Sequence, residues 1–165
     1  MIEVEVTGDM LVRARDKAAA MGQLKRSMTR GQGNLAGFVG EEIANAVLNG
    51  TFANEEKNID FDLVLPDGRT VDVKTKRTSV KPLPHYECSI TTYYQQKCDL
   101  YAFVRVHNDL HVGWFLGLYE RDAYYKDCTH FKKGTTDPSN GFTFRNDAYN
   151  LPISQLKDVS YAAAA

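Results

Sequence analysis

Between Ile59 and Lys76 the chain reads Ile-Asp-Phe-Asp-Leu-Val-Leu-Pro-Asp-Gly-Arg-Thr-Val-Asp-Val-Lys-Thr-Lys. Two alternating stretches flank Pro66-Asp67-Gly68-Arg69, a turn composition, so the run predicts a β-hairpin. Side chains two apart on a strand share a face. Asp60, Asp62 and Val64 therefore share one on the first strand, and Asp72, Lys74 and Lys76 share one on the second. If the turn brings these faces together, carboxylates and a lysine converge. Crowding like charges out of water is costly unless a cation sits between them, and a divalent metal meets that need.

A chain of 165 residues suits one domain with a sizeable core. With 43% hydrophobic and 25% charged residues it falls among globular proteins rather than disordered ones. No apolar run approaches the roughly 20 residues of a membrane span, so no membrane role is expected. Ile2-Glu3-Val4-Glu5-Val6 alternates and carries acids, unlike a signal peptide. Three cysteines, Cys88, Cys98 and Cys128, are an odd set without paired metal spacing, which points to a reducing, cytoplasmic setting. A net charge of −1 excludes a globally basic nucleic-acid binder. The charge is uneven, however. Arg13 to Arg30 holds six basic residues and one acid, and Lys74 to Lys81 four basic residues and none. Each segment reads either as a phosphate-binding surface or as a solvated face.

In chain order, Ile2 to Val6 predicts a strand. Met10 to Met28 predicts a helix, with Leu11, Ala14, Ala18, Met21, Leu24 and Met28 at helical steps. Arg30-Gly31-Gln32-Gly33 breaks it. Asn34 is the expected N-cap of a second helix ending near Asn49-Gly50, with Leu35, Phe38, Val39, Ile43, Ala46 and Val47 as its apolar stripe. Gly37 and Gly40 each cost about 1 kcal/mol inside a helix and so imply close approach of another backbone. Periodicity puts Glu42 nearer the stripe than Glu41, and either reaches under the sheet. Lys81 to His85 is a stiff extended connection. Tyr86 to Ile90 predicts a strand, and Tyr93 to Cys98 a short helix. Leu100 to His107 and Leu110 to Gly117 form a central hairpin around Asn108-Asp109. Glu120 to Lys126 is expected to be helical, 133–141 a loop, and Pro152 to Leu156 a short turn or helix. Tyr93, Tyr94, Tyr124 and Tyr125 suit half-buried packing better than base stacking, and Cys128-x-His130 is too weak a pattern for a metal.

A helix glutamate, a strand aspartate and Asp-x-Lys on the next strand form an oxygen-only set suited to a hard cation such as Mg²⁺, and ill suited to Zn²⁺. Such a metal acidifies bound water and neutralises charge on a phosphoryl group. A lysine two residues from a ligand stands where an attacking water would be.

Gly37-x-x-Gly40-Glu41, then Asp62-Leu63-Val64, a Gly-containing turn and Asp72-Val73-Lys74 resemble the PD-(D/E)xK nuclease superfamily, and within it archaeal Holliday-junction resolvases and small phage and prokaryotic nucleases. The resemblance covers roughly residues 33–107. It implies an α/β, restriction-endonuclease-like fold: a mixed central sheet flanked by helices. It implies one nuclease domain over 1–160, with a core of about 33–117, an accessory region of about 118–160, and a tail at 161–165. It implies a metal-dependent DNA nuclease acting in recombination, repair or processing, with Mg²⁺ as cofactor and Mn²⁺ as substitute. DNA is then the partner and a homodimer an expected assembly. By position, Glu41 (or Glu42) is the helix carboxylate, Asp62 (or Asp60) the central metal ligand, Asp72 the second ligand, and the Val73 carbonyl a further one. Lys74 is the water-activating lysine, and Gln95 or Gln96 the accessory glutamine. Phe61 stands where the superfamily has proline, and Asp72 is the shorter variant of its Glu. The alternative function is a nucleic-acid-binding module of the same fold without catalysis.

Overall fold

A computed structural model describes residues 1–21, 32–53, 60–91, 97–138 and 141–163. The turn at the heart of the expected hairpin is present. Gly68 takes φ +90°, a left-handed conformation that suits glycine, and its N–H bonds the Leu65 carbonyl at 2.9 Å. The two arms are unequal. The first strand is only β3 (Leu63–Val64), while the second, β4 (Thr70–Thr78), is long. Asp60, Phe61 and Asp62 precede β3 rather than lying within it, and Ile59 is outside the described residues.

The remaining elements are β1 (Ile2–Glu5), α1 (Gly8–Met21), α2 (Gln32–Leu48), β2 (Thr51–Phe52), β5 (Glu87–Ile90), β6 (Leu100–His107), β7 (Val112–Glu120), α3 (Arg121–Asp127), β8 (Thr129–Phe131), β9 (Ala148–Pro152), a 3-10 turn (Ile153–Gln155) and α4 (Ser160–Ala163). Among the described residues, a six-stranded sheet runs β1-β7-β6-β4-β3-β2 and a three-stranded one runs β5-β9-β8. The larger sheet is mixed: β4 and β6 are parallel, and its other neighbours are antiparallel. A parallel pair needs a crossover, and here the connecting segment carries β5 into the second sheet.

Strand alternation sends the larger sheet's side chains to two cores. One face gives Val71, Leu100, Ala102, Val104, Val106, Phe115 and Leu118, which pack with Ala14 of α1 and Phe38, Val39, Ile43 and Leu48 of α2. The other gives Tyr101, Phe103, Trp114, Leu116 and Tyr119, covered by Cys88, Ile90, Leu151, Ile153 and Tyr124 from β5, β9, the 3-10 turn and α3. The Tyr124 hydroxyl lies 3.0 Å from the Cys88 carbonyl and 2.6 Å from that of Tyr149, tying α3 to both β5 and β9. Tyr124 is thus core, and Tyr125 packs edge-on against Tyr101 and Tyr149. Tyr93 and Tyr94 lie outside the described residues.

Several expectations need correction. Helix α1 begins two residues before Met10, and 22–28 are outside the described residues. Helix α2 begins at Gln32, so Asn34 lies in its first turn and is not the cap. The α2 stripe is rotated: Ala36, Ala44 and Leu48 are buried beside Phe38, Val39 and Ile43, whereas Ala46 is exposed. Small residues at 36, 40 and 44 let that side of the helix settle on β4. Lys97 and Cys98 are not helical, and Tyr93 to Gln96 lie outside the described residues. The 81–85 connection is extended only to Leu83, since Tyr86 N–H bonds the Leu83 carbonyl at 2.9 Å across a turn. The predicted strand before Ile90 exists, but in the second sheet. No described helix is long and apolar enough to cross a membrane.

Candidate active site

β3 pairs with β4 only through Leu63↔Val71 and Val64↔Thr70. Before Leu63 the chain keeps one backbone bond, Asp62 N–H to the Val71 carbonyl at 2.8 Å, and then leaves. Among the described residues, the β4 edge from Val73 onward therefore lacks a strand partner on that side. The Asp62 side chain fills in: its Oδ2 accepts the Val73 N–H at 2.6 Å. In a strand, the carbonyl of a residue points to the same side as its N–H. Val73 thus offers its carbonyl to the same edge.

Three more groups reach that edge. Asp72 is buried at 5% exposure, with its Oδ2 2.5 Å from the Lys74 ammonium. Lys74 also lies 5.7 Å from the Tyr101 ring centroid. From the helix layer comes Glu41, which lies close enough to raise the Asp62 carboxyl electrostatically. Helix α2 approaches β4 there because Gly40 has no side chain: a Cβ on it would stand 1.9 Å from Thr75 Oγ1. The tight contact is with a side chain rather than a backbone. At Gly37, no described atom lies within 4 Å of that position, so the expected second close approach is absent.

The two adjacent glutamates divide. Glu42, 3% exposed, accepts from Arg13 Nε at 3.0 Å and Nη2 at 2.7 Å. Its role is to pin α1 to α2, which answers the periodicity that turned it inward. Glu41 turns toward the sheet edge, with Lys17 Nζ 3.2 Å away. That lysine rests 3.9 Å over the Phe52 ring. Arg13 and Lys17 are thus engaged by α2 acids rather than free to bind phosphate. Lys25, Arg26 and Arg30 lie outside the described residues. In the second basic segment Lys74 pairs with Asp72, Arg77 Nη2 donates to the Asn108 carbonyl at 2.7 Å, and Lys81 pairs with Glu3 at 2.8 Å. Lys76 remains on the site's side of β4.

The electrostatics are dominated by Asp62. Burial, then the charges of Glu41 and Asp72, push its carboxyl up to about 8 against the opposing pull of the Val73 N–H and Lys74. A cation placed there would relieve this repulsion. Among the described residues, no three His, Cys, Asp or Glu side chains are arranged to hold a metal ion by themselves. Mg²⁺ asks for less: one or two carboxylates, with water and substrate phosphate completing an octahedron. Asp62, Asp72 and the Val73 carbonyl bring oxygens of that kind to this edge, and Glu41 adds a further carboxylate nearby. Asp60 is half-buried and precedes the edge. Gln95 and Gln96 lie outside the described residues. His130 stacks on Tyr149 at 4.5 Å and lies 3.3 Å from Asp147, a packing role.

Sequence reasoning missed Arg105. It stands beside Lys76 in the β4–β6 ladder and is 7% exposed. Its signal was an arginine inside an otherwise apolar strand, Leu100 to Val106. No protein-family model matches the chain, and no curated protein sequence matches it.

Proposed function

We propose that this chain is a metal-dependent DNA nuclease of the PD-(D/E)xK type, with a restriction-endonuclease-like arrangement of its sheet and helices. The observation that carries the reading is the gathering of Glu41, Asp62, Asp72 and Lys74 at an edge of β4 that has no strand partner among the described residues, where the Asp62 carboxyl is held up to about 8 by burial and like charge. The same reading makes DNA the partner, a homodimer the assembly and the cytoplasm the location.

Mg²⁺, or Mn²⁺ in its place, would be held by Asp62, Asp72 and the Val73 carbonyl, and would supply an acidified water and neutralise phosphate charge. The chain's own groups do the rest. Glu41 accepts hydrogen bonds from water at the edge and fixes its position. Lys74, with its ammonium 2.5 Å from Asp72 Oδ2, orients the attacking water and stabilises the charge that grows on the phosphoryl oxygens. The Val73 N–H holds Asp62 in place.

The test is cleavage of plasmid, branched and single-stranded DNA with Mg²⁺ or Mn²⁺, quenched by EDTA. Lys74→Ala should lower the rate at least about a hundredfold with binding retained. Absence of metal-dependent cleavage on every substrate, with Lys74→Ala indistinguishable from the native chain, overturns the reading. Retained DNA binding would then identify a non-catalytic binding module.

A further inference from the structure

Lys76 and Arg105 stand opposite one another in the parallel ladder, one rung beyond Lys74 and Phe103 on the same face. Together they line a cleft of about 320 Å³ that also meets Lys74, Gly37 of α2 and the inner side of β5. Arg105 is 7% exposed. Its Nη2 donates to the Glu87 carbonyl at 2.7 Å. Among the described residues no carboxylate pairs with either cation, and the charge of Arg105 acts on Lys76. A buried guanidinium beside a second cation, with no counter-ion, is costly.

Glu87 lines the same cleft, and its Oε2 is buried with no hydrogen-bond partner among the described residues. Burial, then Asp137, push this carboxyl up. The cleft thus holds surplus positive charge and an arginine whose planar donors suit phosphate oxygens.

We propose that this cleft is a second phosphate subsite, in which Arg105 from the floor and Lys76 from the rim bind the nucleic-acid phosphate adjoining the one at Lys74. The assignment of the Lys74 phosphate as the one cleaved rests on the nuclease reading; binding in the cleft does not. Two residues along β4 span about 6.6 Å, close to the step between successive phosphates of an extended strand. A strand laid along the open β4 edge would then meet Lys74 and the Lys76–Arg105 pair in turn.

The experiment uses the full chain in EDTA, so that no cleavage intervenes, with a short fluorescein-labelled single-stranded DNA as probe and fluorescence anisotropy as readout. Lys76→Ala, at an exposed position, keeps the fold. Arg105→Met keeps the volume of the buried stem and is verified by circular dichroism. Each is expected to weaken binding by roughly tenfold at low salt and to reduce the slope of log K against log salt by about 0.7 per lost phosphate contact. Lys81→Ala, whose lysine is engaged by Glu3 away from the cleft, should leave both unchanged. Unchanged affinity and slope in folded Lys76→Ala and Arg105→Met overturn the subsite, as does failure of the native chain to bind the probe. A native chain that binds with this dependence yet cuts nothing with Mg²⁺ or Mn²⁺ supports the subsite while ending the nuclease reading. One that cuts, with both variants binding like the native chain, does the reverse.

Discussion

In the folded chain Asp62 holds its proton up to about pH 8, whereas the unfolded chain releases it near pH 3.9. Between these values the folded state binds a proton that the unfolded state does not. Stability from this group is therefore full below about pH 3.9 and is lost as pH rises toward 8. Asp62→Asn, which cannot ionise, should raise unfolding free energy at pH 8 in EDTA by several kcal/mol, at about 1.4 kcal/mol per pH unit between the two values, and change little at pH 4. Denaturant melts at the two pH values check this, and equal shifts at both would show Asp62 charged throughout. The neighbouring pair behaves differently. Arg13→Ala leaves the buried Glu42 Oε2 without both of its guanidinium donors and should cost about 1–2 kcal/mol, discounted because Arg13 is half exposed. On the proposed nuclease reading, it should leave cleavage per folded molecule unaltered. The shared face of Asp72 and Lys74 on β4 was legible because a spacing of two on a strand is short-range information, whereas the place of Asp62 before β3 was not. Choosing between Glu41 and Glu42 was not, since periodicity marks a residue as inward without naming its partner. The partner that decides, Arg13, is 29 residues away.

Among elements, the contact between α2 and β4 sets how near Glu41 comes to the strand edge. Gly40→Ala would press a methyl group into Thr75. The helix must then shift, at about 1–3 kcal/mol, and Glu41 with it. The expected result is a lower melting temperature and, on the proposed nuclease reading, reduced cleavage. Gly40→Ala combined with Thr75→Ser, which removes the Thr75 methyl but keeps the hydroxyl that the new Cβ meets, should recover little. Thr75→Ala removes that hydroxyl but leaves the Thr75 Cβ 2.8 Å from the new one, and should recover part of the stability. Strands β6 and β7 were readable from their alternating apolar residues around a turn. Strands β8 and β9 were not. β8 has three residues, and β9 carries Asn150 and Pro152, residue types that strands disfavour. Pro152 is tolerated at the last position of its strand, opposite Glu87. What makes β9 a strand is its position between β5 and β8, information that local sequence lacks.

Across the whole molecule, two cores share one sheet, so the helix layer and the β5-β9-β8 layer are joined through β4, β6 and β7. Tyr124 is the anchor of the second layer. Tyr124→Phe retains the ring but leaves the Cys88 and Tyr149 carbonyls without its hydroxyl, at about 1–2 kcal/mol. Amide exchange should then quicken in β5 and β9 more than in β6. The buried thiols turn this layering into a chemical clock. Cys88 and Cys98 are enclosed in the second core, and burial pushes both up to about 12. The reactive species is the thiolate, so neither is alkylated at neutral pH while that layer stays shut. Cys128 is only half-buried. Burial pushes the Cys128 thiol up as well, but its partial exposure should let a thiol reagent modify it first, and the other two no faster than the second layer lifts from the sheet.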